Sequence, residues 1–233
     1  MKKTEEQKLT ATEKIANGAN NWLAANGKLV GIIAGVVVIA IIALAVVFSQ
    51  MDKKNQKQFS LIEDVASNYN ELFSMDPTSD EYATAVEDFK NGANELVEAS
   101  GLKKYPGAKA ALLLADYAYA EDKNYEEALE LYNNVAEAQS KTYLAQVAKI
   151  NAAACYENLG DVDAALEIYN DLWDEFGTDG VYGSRALFNT ARIYESKGQT
   201  DLAIATYEQL LGEFEDVGSE YAKLAKSRIA QLN

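Results

Sequence analysis

One motif returns three times along this chain. Tyr119 is followed by Tyr125–Glu126–Glu127–Ala128–Leu129–Glu130–Leu131–Tyr132, Tyr156 by Asp163–Ala164–Ala165–Leu166–Glu167–Ile168–Tyr169, and Tyr194 by Leu202–Ala203–Ile204–Ala205–Thr206–Tyr207. Ala128, Ala165 and Ala203 stand 37 and 38 residues apart, and both tyrosines of each copy keep the same two intervals. A fixed period of this length is the mark of a stacked helical-pair solenoid, in which each unit buries its apolar face only against its neighbours. Such arrays present extended concave surfaces that hold partners, which turns the functional question away from catalysis.

Each repeated position has a physical task. The three alanines are small enough for the second helix of a pair to cross closely over the first. Tyr119, Tyr156 and Tyr194, with Tyr132, Tyr169 and Tyr207, supply bulk between layers and carry hydroxyls that can reach a polar partner. Gly160 and Gly198 follow the first helix, where a left-handed residue ends it at little cost, and Lys123 takes that place in the first copy. Asp161 and Asp201 are placed to cap the next helix.

These residues resemble the tetratricopeptide repeat, over positions 108 to 216. Two departures are visible. The small first-helix position reads Ala153 and Ala191 in two copies but Asp116 in the first. The period also exceeds the family's value of about 34, and the extra residues fall in the loops around Gln139–Thr142 and Phe176–Gly183. The resemblance implies an all-α solenoid of helical hairpins. Its repeats are expected at 108–141, 146–179 and 184–217, with a capping helix at 219–232.

The flanks suit the same architecture. Tyr105–Pro106–Gly107 reads as the proline that closes one repeat before the next begins. Upstream, Phe59, Ile62, Val65, Tyr69 and Leu72, then Tyr82, Val86, Phe89, Ala93 and Leu96, recur at helical spacing and predict a degenerate first pair over 58–100. Asp76–Pro77–Thr78–Ser79 is the expected turn, with Thr78 or Ser79 as cap. Tyr221, Leu224, Ala225, Ile229 and Leu232 give the last helix one apolar stripe, with its lysines and arginine outward.

Leu29 to Phe48 is a run of twenty residues without a charge, the length a helix needs to cross a bilayer at ~1.5 Å per residue. A buried core helix is the poorer reading, because a small repeat domain cannot surround it. A cleavable signal has a shorter apolar region, so an uncleaved span over 29–48 is expected, followed by a linker over 49–57. Before it, five lysines against three glutamates leave residues 1–28 at +2, so the rest of a chain whose net charge is −15 stands at −17. Lysines close to the two membrane ends are nearly balanced. The expected arrangement is a short cytoplasmic tail, one span and an exported acidic domain at the inner membrane. Thr10–Ala11–Thr12–Glu13 resembles a capping box. Leu9, Ala16, Ala19, Trp22 and Leu23 then leave an interfacial helix and an irregular tail both open. Gly27, Gly31 and Gly35 make overlapping Gly-x-x-x-Gly spacings. They serve either a packing face, with self-association through the span, or nothing beyond the ordinary glycine content of membrane helices.

Composition argues against an enzyme. Histidine is absent, which removes the commonest general base and metal ligand. The single cysteine, Cys155, lies on a packed helix and reads as a buried thiol. No nucleophile elbow, phosphate loop or metal-ligand spacing occurs, so no catalytic residue, cofactor or metal is expected. The acidic excess argues against nucleic acid.

What remains is the groove. Transferring the tetratricopeptide pattern puts Leu113 and Tyr117 on the inner surface from the first copy. It adds Ile150, Asn151 and Ala154 from the second, and Arg185, Phe188, Asn189 and Arg192 from the third. Asn151 and Asn189 are placed to bond a peptide backbone and the arginines to hold a carboxylate. The competing reading pairs the arginines with Glu157 or Glu195. The layout of tail, span and exported repeats also resembles the ancillary subunit of the bacterial Sec translocon, the YfgM-like family. That likeness implies an adaptor or chaperone-like factor whose partners are the translocon, periplasmic folding factors and unfolded segments. A cell-envelope scaffold for division or wall proteins, and a tethered holdase, are the alternatives.

Overall fold

The computed structural model of the protein describes residues 10–214 and 218–232. It divides into two units, 1–56 and 57–233. The expected tail lysines Lys2, Lys3 and Lys8 lie outside the described residues.

The first unit holds most of α1 (Ala11–Leu72), which begins directly after Thr10. The tail is therefore helical from residue 11, and so is the stretch 49–57 that was expected to be a linker. That stretch contains neither glycine nor proline, so nothing in it stops a helix. At Asn26 the backbone leaves helical geometry (φ −113°, ψ 16°), and its side-chain amide donates to the Trp22 carbonyl at 2.9 Å. This local bond competes with the helical ladder and accounts for the kink. Beyond it, α1 is long and apolar enough to cross a membrane by length and composition, and none of its most apolar stretch is buried. Gly27, Gly31 and Gly35 have open space where a Cβ would stand.

The second unit is a succession of helices in which each packs against the next. The end of α1 is followed by α2 (Asp80–Ser100), α3 (Tyr105–Ala120), α4 (Tyr125–Ala138), α5 (Tyr143–Leu159), α6 (Val162–Phe176), α7 (Gly183–Ser196), α8 (Thr200–Phe214) and α9 (Glu220–Leu232). No strand occurs among the described residues. Apolar clusters each join three consecutive helices. Ile62, Phe89 and Leu113 link α1, α2 and α3; Leu112, Tyr132 and Leu144 link α3, α4 and α5. Ile150, Tyr169 and Ala186 link α5, α6 and α7, and Leu187, Tyr207 and Ala225 link α7, α8 and α9. Every odd-numbered helix between the ends thus serves two clusters, which is the nearest-neighbour logic of a solenoid. Ala128, Ala165 and Ala203 are fully buried where the paired helices cross.

The turns follow local chemistry. Ser79 accepts from the Tyr82 amide at 3.1 Å and caps α2. Asn124 accepts from Glu127 N at 3.3 Å while its amide donates to the Glu127 carboxylate at 2.7 Å. Asp161 caps α6 through the Ala164 amide at 3.1 Å. Asp201 does not cap α8: the helix starts at Thr200, so Asp201 sits in its first turn and meets the helix dipole there. Pro106 opens α3, where its missing N–H would have had no partner. Lys123 holds the left-handed conformation (φ 53°) that Gly160 and Gly198 hold in the next copies (84° and 71°). Gly183 lies so near the preceding loop that a Cβ there would stand 2.3 Å from the Gly177 carbonyl oxygen.

Candidate functional site

One face of the repeat unit is built by the first helices of the hairpins, α3, α5, α7 and the closing α9, and a recurring polar ladder runs along it. Each second-helix tyrosine is buried at the layer boundary and delivers its hydroxyl to an acid of the paired first helix. Tyr169 donates to Glu157 Oε1 at 2.8 Å, and Tyr207 donates to Glu195 Oε2 at 3.3 Å. An arginine of the following first helix then closes each acid. Arg192 Nη2 lies 2.7 Å from both oxygens of Glu157. Arg228 bonds Glu195 through Nε at 3.2 Å and through Nη2. Tyrosine, acid and guanidinium thereby tie three helices at each junction.

At the first junction the ladder changes. Tyr132 donates to Asp116 Oδ1 at 2.5 Å, and the only other donor to Asp116 among the described residues is the Asn151 amide, 3.5 Å from the same oxygen. No arginine arrives. Burial pushes the Asp116 carboxyl above the usual carboxylate range, against the lowering influence of the Tyr132 hydroxyl and of Lys109. Burial also raises the Tyr132 and Tyr169 phenols well above the ordinary tyrosine value, and Asp116 and Glu157 add to the rise. The Cys155 thiol, buried among these helices, is pushed up to about 12 by burial and then by Asp116, which leaves it inert.

Two adjoining cavities open on this face. The smaller, about 250 Å3, is bounded by Tyr69, Asp116, Tyr132 and Asn151, with Ala120 in its wall. The larger, about 400 Å3, is bounded by Glu157, Asn158, Tyr169, Asn189, Arg192 and Tyr221. Tyr119, Ala154 and Arg185 border both.

The structure brings Asn151, Ala154, Arg185, Asn189 and Arg192 to this surface. It does not bring Leu113, Tyr117 or Ile150 there. Leu113 and Tyr117 are only 5% exposed in the cluster with α1 and α2, and Ile150 is wholly buried between α5 and α7. They stand on the side of the first helix that packs against its neighbours. Phe188 is half-buried and packs on the Tyr207 and Tyr221 rings, at centroid distances of 5.6 and 5.5 Å. Arg192 forms the ion pair with Glu157, so it serves the junction. Arg228 is likewise paired and not simply outward. Arg185 makes no hydrogen bond or ion pair among the described residues. Tyr69, Asp116, Tyr119 and Tyr221 also line these cavities, and of them Asp116 is marked in the repeat pattern as the break in an otherwise small position.

Comparisons with known proteins agree with this architecture. A family model described as tetratricopeptide repeat-like domain matches residues 20–172, and a tetratricopeptide repeat model matches 185–216. Curated proteins give no match. Among solved structures, the chain is similar to the nearly identical TPR-like repeats of a Podosopora anserina protein described as a kinesin light chain. The identity is 15% and the TM-score 0.52, over 73% of this chain and 86% of that one. That likeness speaks for the fold alone. With most of its length matched by the domain model and its helices stacked as hairpins around buried alanines and tyrosines, the chain belongs to the tetratricopeptide repeat-like domain family.

Proposed function

We propose that this protein is a membrane-tethered interaction module. The apolar part of α1 spans the bacterial inner membrane, the tail stays in the cytoplasm, and the exported repeat face binds segments of other proteins. On this reading it is an adaptor or chaperone-like accessory factor in protein export, with the Sec translocon and periplasmic folding factors as partners. The observation that carries the binding role is Arg185. Arg185, Arg192 and Arg228 are the arginines of this chain; Arg192 and Arg228 pair with Glu157 and Glu195, whereas Arg185 borders both cavities with no ion pair among the described residues. A guanidinium in that setting is positioned to take a carboxylate or a backbone carbonyl from a bound chain, with the Asn151 and Asn189 amides beside it. The tether rests on an apolar stretch of α1 that is long enough to cross a membrane and is not buried, and the export role rests on the layout.

The test is a crosslinking pull-down from native membranes with the full chain, a chain lacking residues 1–50, and Arg185→Glu. Translocon subunits or folding factors should accompany the full chain and be lost or reduced with either change. Recovery of division or wall proteins instead makes the protein an envelope scaffold. Equal recovery with Arg185→Glu moves the binding site away from this face.

A further inference from the structure

The ladder has one unfilled rung. Glu157 and Arg192 close the junction between α5 and α7. One repeat earlier, 37 and 38 positions back, the corresponding residues are Ala120 and Ala154. Both alanines line the 250 Å3 cavity, which occupies the place of the missing ion pair. The acid has not vanished but moved one helical turn, to Asp116, where it keeps the tyrosine bond. Both hydrogen bonds to Asp116 fall on Oδ1, and among the described residues none reaches Oδ2. A partly buried carboxylate whose hydrogen bonds among the described residues come from a hydroxyl and an amide 3.5 Å away, with Lys109 acting only through space, is costly to maintain. Tyr69 and Tyr119 complete the walls with aromatic rings, whose faces attract cations.

We propose that this cavity receives the lysine or arginine side chain of a partner segment, which completes the Asp116–Tyr132 rung between α3 and α5 as Arg192 completes the next one. The proposal rests on the reading of this face as a protein-binding groove and specifies what the groove selects. Arg185 borders the same cavity, so the preferred segment carries a single basic residue among neutral ones. The basic side chain meets Asp116 and a backbone carbonyl meets Arg185, while a run of basic residues is repelled by Arg185. The net charge of −15 draws such segments in from a distance.

The full chain in detergent is titrated with a fluorescein-labelled peptide, Gly-Ser-Tyr-Arg-Ser-Gly. The comparison peptide is identical except that citrulline, the neutral isostere, replaces arginine. The arginine peptide should bind at least about tenfold more tightly, the loss expected when one partner of a desolvated charge pair is removed. Asp116→Asn should abolish that preference. Ala154→Arg, which fills the cavity from within, should weaken the arginine peptide by a similar factor. Absence of any preference for arginine over citrulline in the unmodified chain overturns the proposal, whatever the variants do. If Arg185→Glu still weakens both peptides in that case, the groove reading survives without the cation pocket. If neither Arg185→Glu nor citrulline changes binding, both fall. Melting temperatures recorded beside each titration separate lost folding from lost recognition.

Discussion

Arg192 sets a single guanidinium nitrogen 2.7 Å from each carboxylate oxygen of Glu157, and the pair joins α5 to α7 across the edge of the groove. Its energetic weight is limited by water: the Arg192 side chain is 43% exposed and that of Glu157 20%. Coulombic attraction at such a site is screened, so the pair is worth about 1 kcal/mol. Arg192→Met, which keeps the aliphatic stem, should lower unfolding stability by about that amount. Arg185→Met should leave stability unchanged, because Arg185 has no hydrogen-bond or ion-pair partner among the described residues. Urea unfolding of the two variants side by side checks the division of labour between a structural and a recognition arginine.

Lys123 offers a second test because its neighbours in the repeat provide the control. It occupies a left-handed backbone position (φ 53°) where the equivalent residues are glycines. A side chain in that region costs roughly 1–2 kcal/mol, offset in part by the exposed bond from Lys123 Nζ to the Ala120 carbonyl. Lys123→Gly should therefore stabilise the array by about 1 kcal/mol. The reciprocal Gly160→Ala should destabilise it by a comparable amount. Both are read as shifts of the denaturation midpoint without a change in its slope.

The buried tyrosines fix the alkaline behaviour. Burial raises Tyr69 from 10.0 to about 12, aided by Asp116 and Glu121, and raises Tyr132 and Tyr169 further. The folded protein thus holds these protons more tightly than the unfolded chain. Their contribution to stability is complete below pH 10 and is lost as the pH rises from there through the folded values. Stability should fall steeply from about pH 10 upward. Tyrosinate absorbance at equilibrium should show exposed phenols titrating first, and the buried set appearing only together with loss of helical ellipticity.

Much of the fold was legible because a solenoid writes its packing into its period. Ala128, Ala165 and Ala203, with Tyr132, Tyr169 and Tyr207, recur at fixed intervals because each meets the same neighbour in its own layer. The groove was less legible. Which first-helix residues reach it depends on how each helix is rotated about its axis, and that is set by hairpin packing across layers. Leu113, Tyr117 and Ile150 were assigned to the groove by offset from the repeat pattern, but their bulk is what the interlayer clusters needed. Arg192 could be read either as a binding residue or as a partner of Glu157, and only the relative placement of α5 and α7 decided it. Asp201 was displaced from its capping role by a helix that already starts at Thr200. The stretch 49–57 has neither glycine nor proline, so α1 runs through it without a break.

The unfilled rung has a mechanical consequence. Arg192 and Arg228 act as rivets between successive first helices, whereas α3 and α5 meet without one. Among the described residues that seam, at the entrance to the smaller cavity, is held by side-chain hydrogen bonds from Asn151 to Asp116 and from Asn158 to Tyr119, with no ion pair. Occupancy there would add the missing rivet, making the α3 to α5 seam slower to open while leaving its outline as it is. A bound segment would then be announced by a longer lifetime of the closed array, with no new shape required.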